Sequence, residues 1–337
     1  MNIKHIILVI SAAFASSIYA QQRSVMLHHN GEITPFSNLG ASFKDAYNAA
    51  EDGDTIYLPG GTFEQPGEYK KSLRIYGAGV SPDSSAVTSP TTLSGNTYLR
   101  KGTDNFSIEG VNINGDFYYS YSADTIENIS LKYMKINGNI RNYSNNCSVQ
   151  RINVQNCVIT SDINFQSATN CVVQNCVIQG RITNCNQNMI RNNMFLYDYY
   201  RYATVNGDNN LVTNNCSRNT GALVSGNSNI CRNNMVPTTG NDYYGTTPII
   251  NNNYENLRFD TLVVNKTVNS FEFSEDYHFV NPEQYVGTDG TVIGIYGGSF
   301  AWKEGLVPSN PHIRKNESAE ETDENGELQL NINVVSQ

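Results

Sequence analysis

The sequence predicts an all-β solenoid of stacked parallel strands, and three observations lead there. An asparagine interrupts one apolar stripe after another, in "NVQNCVIT" (153–160), "VVQNCVIQG" (172–180), "IRNNMF" (190–195), "VTNNCS" (212–217), "CRNNMV" (231–236) and "INNNYE" (250–255). In that frame Asn156, Asn175, Asn193, Asn215, Asn234 and Asn253 follow one another at intervals of 19, 18, 22, 19 and 19 residues. A period near twenty marks a solenoid, in which each repeat buries its face against its neighbours. The repeat is also too short for a strand plus a full crossover helix, which needs about 30 residues. Leucine-rich repeats share the period, but their L-x-x-L-x-L frame is absent; the frame here is V/I-x-N-(N/C/M)-x-(I/V).

Stacked coils bring equivalent positions about 4.8 Å apart along the axis. Asparagines at one position then lie over one another, and each amide donates to the oxygen of the next. An isolated buried amide would cost roughly 1–3 kcal/mol, and a continuous ladder removes that cost. Upstream, "IEGVNING" (108–115) and "LKYMKING" (131–138) fit the same frame, with Gly110 and Tyr133 at the asparagine position.

From the N-terminus, residues 1–20 carry Lys4, the apolar run Ile6 to Ile10 and small residues up to Ala20, which reads as a secretory signal peptide cleaved near Ala20. A short amphipathic helix follows (Phe43, Ala46, Tyr47, Ala50), then the Asp52-Gly53-Asp54 turn and a strand from Thr55 to Leu58. The helix and turn in "ASFKDAYNAAEDGDTIYLPGGTF" (41–63), the turn "SLRIYGAG" (72–79) and the segment "EDYHFVNPEQYVGTDGTVIGIYGG" (275–298) resemble the right-handed parallel β-helix of the pectate-lyase-like superfamily. The motifs of the classical pectate lyases are absent. The resemblance implies an N-terminal helical cap and first strand over 21–66, β-helix coils over 67–256, and a C-terminal closing segment and tail strand over 257–337. Covers at both ends protect strand edges from aggregation; part of 257–337 is expected over the last coil. The acidic stretch "NESAEETDENGE" (316–327) reads as a solvated loop, and "LQLNINVV" (328–335) as an alternating strand packing back on the body.

The formal charge of -9 argues against a nucleic-acid surface. No segment after the leader is apolar enough to span a membrane, so an exported protein, secreted or held in the periplasm or cell envelope, is expected. Cys157, Cys176 and Cys216 follow the recurring asparagine where Met194 and Met235 otherwise stand, which reads as an apolar core site holding free thiols. The spacing leaves Cys147, Cys171, Cys185 and Cys231 open, and no CxxC pair suggests a metal.

A second column runs through Gly115, Gly138, Ser161, Gly180 and Gly221, with Arg201 between the last two. Two residues on, Phe117, Ile140, Ile163, Ile182, Ala203 and Leu223 read as inward, and alternation sends their neighbours outward. One outward row is Asp116, Asn139, Asp162, Arg181, Tyr202 and Ala222; the next is Tyr118, Arg141, Asn164, Thr183, Thr204 and Val224. The register over 197–205 can slip by two. Rings, amides and charges on a long flat surface suit an extended polysaccharide, with Asp116, Tyr118, Arg141, Asp162, Arg181 and Tyr202 as the carbohydrate-binding candidates. Tyrosine is also an ordinary strand residue.

Glycoside hydrolysis needs two carboxylates facing one bond. Asp162 instead stands between Asn139 and Arg181, and a lone aspartate beside an arginine stays ionised. Lyases of the resembling family use a base with calcium or another cation against a uronic-acid carboxylate. For that chemistry Arg141, Asp162 and Arg181 are the catalytic candidates. No acidic calcium cluster accompanies them, and no metal or other cofactor is expected. His28 and His29 lack a third ligand. The expected function is non-catalytic binding of extracellular or cell-envelope polysaccharide, with a polysaccharide lyase or hydrolase, or an adhesive surface protein, as alternatives.

Overall fold

A computed structural model describes residues 24–337 apart from 38–39, 84–86, 145, 265–269, 310–311, 318, 320 and 336–337. The leader reading falls outside the described residues. The chain forms a parallel β-solenoid of about nine turns with little helix. A complete coil contributes one short strand to each of three sheets in which successive coils pair in parallel, as Val172–Gln174, Val177–Ile178 and Ile182–Thr183 do. Among the described residues these first, second and third sheets have 13, 8 and 7 strands.

Two- and three-residue strands have little stability alone, so in-register apolar stacking holds the coils. In the first sheet Ile56, Ile75, Ile108, Leu131, Val154, Val173, Ile190, Val212, Cys231 and Ile250 lie in one interior column. In the third sheet Phe117, Ile140, Ile163, Ile182, Val205 and Val224 do the same.

The corner between the first and second sheets holds the recurring asparagines and corrects their expected alignment. Gln174 pairs with Arg191 and Val177 with Met194, leaving two corner residues per coil. The first is left-handed: Gly110, Tyr133, Asn156, Asn175, Asn192, Asn214, Asn233 and Asn252 have φ between 49° and 70°. Asparagine tolerates that region better than other side chains. The second corner residue points into the coil: Val111, Met134, Cys157, Cys176, Asn193, Asn215, Asn234 and Asn253. Asn156 and Asn175 therefore stand in the left-handed column, one residue out of register with the ladder that begins at Asn193. The "NN" doublets make the two frames indistinguishable by spacing.

From Asn193 onward the ladder is closed. The Nδ2 groups of Asn193, Asn215 and Asn234 donate to the next Oδ1 at 3.0, 2.9 and 3.0 Å. The same nitrogens donate to the carbonyls of Val173, Ile190 and Val212 in the preceding coil. The oxygens of Asn215, Asn234 and Asn253 also accept the main-chain N–H of the previous ladder residue. Both ends of each internal amide are thus satisfied without water. A second ladder, not anticipated from the sequence, runs through Asn188, Asn210 and Asn229 ahead of the first sheet. Asn210 Nδ2 donates to Asn229 Oδ1 at 3.0 Å, and Cys171 occupies the position above Asn188. Its signal is the asparagine preceding each first-sheet strand in "NQNMI" (186–190), "DNNLV" (208–212) and "NSNIC" (227–231), at intervals of 22 and 19.

All seven cysteines are buried and free. Cys157 and Cys176 occupy the inward corner column, whereas Cys216 aligns with Met194 and Met235 on the outward side of the second sheet. Burial pushes the thiols of Cys171, Cys185 and Cys231 up to about 12, so they stay protonated and unreactive at neutral pH.

At the N-terminus the helix Ser42–Ala49 buries Phe43, Ala46 and Tyr47 against the first coil. An antiparallel hairpin (Val25–His29 and Glu32–Phe36) turns on Asn30-Gly31, with φ of 48° and 88°, and extends the first sheet beside Thr55–Tyr57. Asn-Gly is the strongest short hairpin signal, and the sequence reading passed over it.

The C-terminal segment covers the flank of the solenoid. Val158, Val177, Met194, Cys216 and Met235 form an outward apolar stripe on the second sheet, buried by Phe259, Phe271, Tyr277, Phe279, Ile293 and Trp302. The chain then runs back up the stack as a strap. Asn233 Nδ2 donates to Val286 O (2.9 Å), Asn214 Oδ1 accepts Thr288 N (2.9 Å), Asn175 Nδ2 donates to Ile295 O (2.8 Å) and Asn156 Nδ2 to Phe300 O (3.0 Å). The left-handed column is the rail that holds it. The tail strand Ile332–Val335 pairs with His312–Asn316, and Leu328, Leu330, Ile332 and Val334 are exposed instead of packing on the body.

Asn215→Ala removes the side-chain acceptor of the Asn193 main-chain N–H, one of the two acceptors of Asn193 Nδ2, and one donor each to Asn234 Oδ1 and the Ile190 carbonyl. It is expected to lower stability by about 3 kcal/mol in urea denaturation, against less than about 0.5 kcal/mol for exposed Asn251→Ala. Deleting residues 257–337 uncovers the outward stripe, and strong binding of a hydrophobic dye is the expected result. Unchanged dye fluorescence would refute the covering role.

Candidate functional site

The outer face of the third sheet carries an axial row, Tyr98, Tyr118, Arg141, Asn164, Thr183, Asn206 and Ser225. Its register follows from Tyr98 with Tyr118, Tyr118 with Arg141, Asn164 with Thr183 and Asn206 with Ser225. The first part matches the expected row. Beyond Thr183 the register differs, because Ile182 pairs with Val205 and Val205 with Val224. Residues 197–203 loop out, placing Val205 where Ala203 was expected and Val224 where Leu223 was. Thr204 and Val224, expected outside, are fully buried.

The row of Asp116, Asn139, Asp162 and Arg181 forms a third ladder, at the surface. Asn96 Oδ1 accepts Asp116 N (2.8 Å), Asp116 Oδ1 accepts Asn139 N (2.7 Å), Asn139 Oδ1 accepts Asp162 N (3.2 Å) and Asp162 Oδ1 accepts Arg181 N (2.8 Å). The two aspartates are therefore structural acceptors that tie each coil to the next. Their second oxygens are also committed: Asp116 Oδ2 to Arg141 (2.6 Å) and the Tyr118 hydroxyl (3.1 Å), Asp162 Oδ2 to Arg181 (3.2 Å). Burial pushes the Asp116 carboxyl up, but the hydrogen bonds from Asn139 and the Arg141 charge outweigh it and hold the group below its ordinary value. An aspartate kept ionised in this way cannot act as a general acid.

The six sequence-predicted residues fall into two groups. Asp116, Tyr118 and Arg141 form one. Tyr118 is 6% exposed, with Tyr98 stacked on it at 4.8 Å and the Arg141 guanidinium 4.9 Å from its ring centre. Both ring faces are in use, and no sugar can stack there. Nearby, Tyr121 stacks on Tyr143 at 4.4 Å and lies under Arg100. These stacked rings and their arginines contribute about 0.5–1 kcal/mol per contact to the fold.

Asp162, Arg181 and Tyr202 form the other group, at the edge of a groove of about 390 Å³. Its walls are Arg181, Thr183, Tyr200, Arg201, Tyr202, Ala203, Asn206, Ala222 and Ser225, with no carboxylate among them. Tyr200 and Tyr202 are 64% and 53% exposed. Arg181 lies 4.8 Å from the Tyr202 ring centre and Arg201 5.5 Å from that of Tyr200. Asn206 Nδ2 donates to Ser225 Oγ at 2.8 Å on the floor. Asn206 and Ser225 escaped sequence reasoning because the loop at 197–203 displaced the register.

Of the three catalytic candidates, Asp162 and Arg181 are paired with each other and Arg141 is engaged by Asp116. Among the described residues no three His, Cys, Asp or Glu side chains could hold a metal ion; His29 instead pairs with buried Asp54 at 2.8 Å. No helix of the described residues is long and apolar enough to cross a membrane. No known family model and no curated protein matches the chain.

The depressed Asp116 carboxyl sets a pH dependence. Its contribution is fully present above the unfolded value of about 3.9 and is lost as pH falls through the lower folded value. The stability difference between wild type and Asp116→Asn should therefore be constant from about pH 5 to 7 and shrink below pH 4 in urea melts. A difference that grows on acidification would contradict this assignment.

Proposed function

We propose that this is an exported protein that binds an extended polysaccharide without transforming it, along the outer face of the third sheet. The observation that carries the reading is the groove at Arg181 to Ser225. It presents two exposed tyrosine rings and a guanidinium from the loop at 197–203 beside a second guanidinium, an amide and hydroxyls of the third sheet. Pyranose rings stack on tyrosine faces, while their hydroxyls donate to and accept from amides and hydroxyls. The axial repeat of about 4.8 Å offers equivalent polar positions coil after coil, which suits a polymer better than a compact ligand.

The resemblance to the pectate-lyase-like superfamily supports the same ligand class and leaves activity open, since one scaffold hosts many chemistries. Non-catalytic binding is favoured because both aspartates of this face are used in coil-to-coil hydrogen bonds and arginine pairs.

A panel of plant, algal, host and bacterial polysaccharides, screened by affinity electrophoresis with product analysis, tests this. One or more should retard the mature protein, with Tyr200→Ala or Tyr202→Ala weakening binding about ten-fold, or ~1.4 kcal/mol. No retardation across the panel would sink the proposal. Unsaturated or reducing ends that vanish in Arg181→Gln would replace it with catalysis.

A further inference from the structure

A second groove lies on a different face, where the strap crosses the first sheet. The outward side chains there are, in register, Gln174, Arg191, Thr213, Arg232 and Asn251. Arg191 and Arg232 are two strand spacings apart, roughly 9.6 Å along the axis, with Thr213 between them. Neither arginine has an ion-pair partner among the described residues. Gln174 Oε1 accepts Nε and Nη2 of Arg191 at 3.0 and 2.8 Å, which orients the guanidinium and leaves three of its five N–H groups for other acceptors.

The far wall comes from the strap. Asn214 Oδ1 accepts Thr288 N at 2.9 Å and fixes the turn that brings Thr288 and Asp289 to the groove. The groove holds about 210 Å³. Asp289 turns its Oδ1 to Thr291 N and Oγ1, at 3.0 and 2.7 Å, so this carboxylate is engaged within its own turn. Asn192, also on the wall, is 2% exposed and its amide packs against Gly297 and Gly298 of the strap. Two arginines against one aspartate leave the groove locally positive, on a chain whose net charge is -9.

The geometry points to an oxyanion site: the groove takes a sulfate or phosphate group, free or carried on a larger molecule, between the guanidiniums of Arg191 and Arg232. Charge-assisted N–H donors that span a tetrahedral anion are the usual means of holding one. The site is independent of the polysaccharide groove, which faces away on the third sheet.

Calorimetric titration of the mature protein with sodium sulfate and with sodium phosphate, at constant ionic strength in chloride, tests it. Saturable binding of at least one ion is expected, weakened ten-fold or more in Arg191→Gln/Arg232→Gln and less in Arg232→Lys, with thermal melts verifying that each variant is folded. Tyr202→Ala should bind the ion as wild type does, which separates this site from the polysaccharide groove. Dextran sulfate provides the polymer arm: affinity well above that of the free ion, lost in the double variant, assigns a polymer-borne group, and equal affinity assigns a free ion. Absence of saturation by either ion, or undiminished binding in the double variant, overturns the inference.

Discussion

The structure depends on one constraint, that every amide turned into the coil must find its partner in the coil above or below. At Asn193, Asn215 and Asn234 this is met completely: each nitrogen has two acceptors, and each oxygen on the run from Asn215 to Asn253 has two donors. A buried polar network is favourable only when all its members are satisfied. Here satisfaction requires neighbouring coils to be aligned to within hydrogen-bond distance. The ladder thus sets the register of the strands on either side. Upstream, Val111, Met134, Cys157 and Cys176 fill the same column with apolar groups, and packing takes over the role.

The corner has a second use. A left-handed residue turns its side chain away from the interior, so the column from Asn156 to Asn233 faces outward with amides unused by the coil. The strap takes those of Asn156, Asn175, Asn214 and Asn233. One tight turn therefore supplies an inward ladder and an outward rail on adjacent residues. The same logic operates at the surface of the third sheet, where Asp116 and Asp162 serve as acceptors for the next coil. What looked in the sequence like chemistry on display is largely coil-to-coil bonding.

The architecture was legible in the sequence because a solenoid repeats its physics: period, apolar frame and polar interruption recur until chance is excluded. Fine register was less legible. The doublets Asn192-Asn193, Asn214-Asn215 and Asn233-Asn234 fit either of two frames, and only hydrogen-bond geometry separates them. The loop at 197–203 has no periodic signal to mark where the strand resumes, so Thr204 and Val224 were placed outside and Asn206 and Ser225 were overlooked. Of the site residues, Arg181 and Tyr202 do meet at a groove. That Tyr118 has both faces occupied could not be read from composition, because Tyr98 lies a coil away. The oxyanion groove was equally hidden, since strap and first sheet meet only in the folded chain.

The strap also changes what kind of polymer the solenoid is. A simple stack behaves as a one-dimensional chain, able to fray from either end one coil at a time. Here Asn175 bonds a carbonyl 120 residues away, Asn156 one 144 residues away, and Glu109 accepts from Ser309 across 200 residues. These bonds bridge late sequence to early coils, so loosening any middle coil also loosens the thread that crosses it. Such distant closures slow folding, and they turn a zipper into a laced object that opens all together.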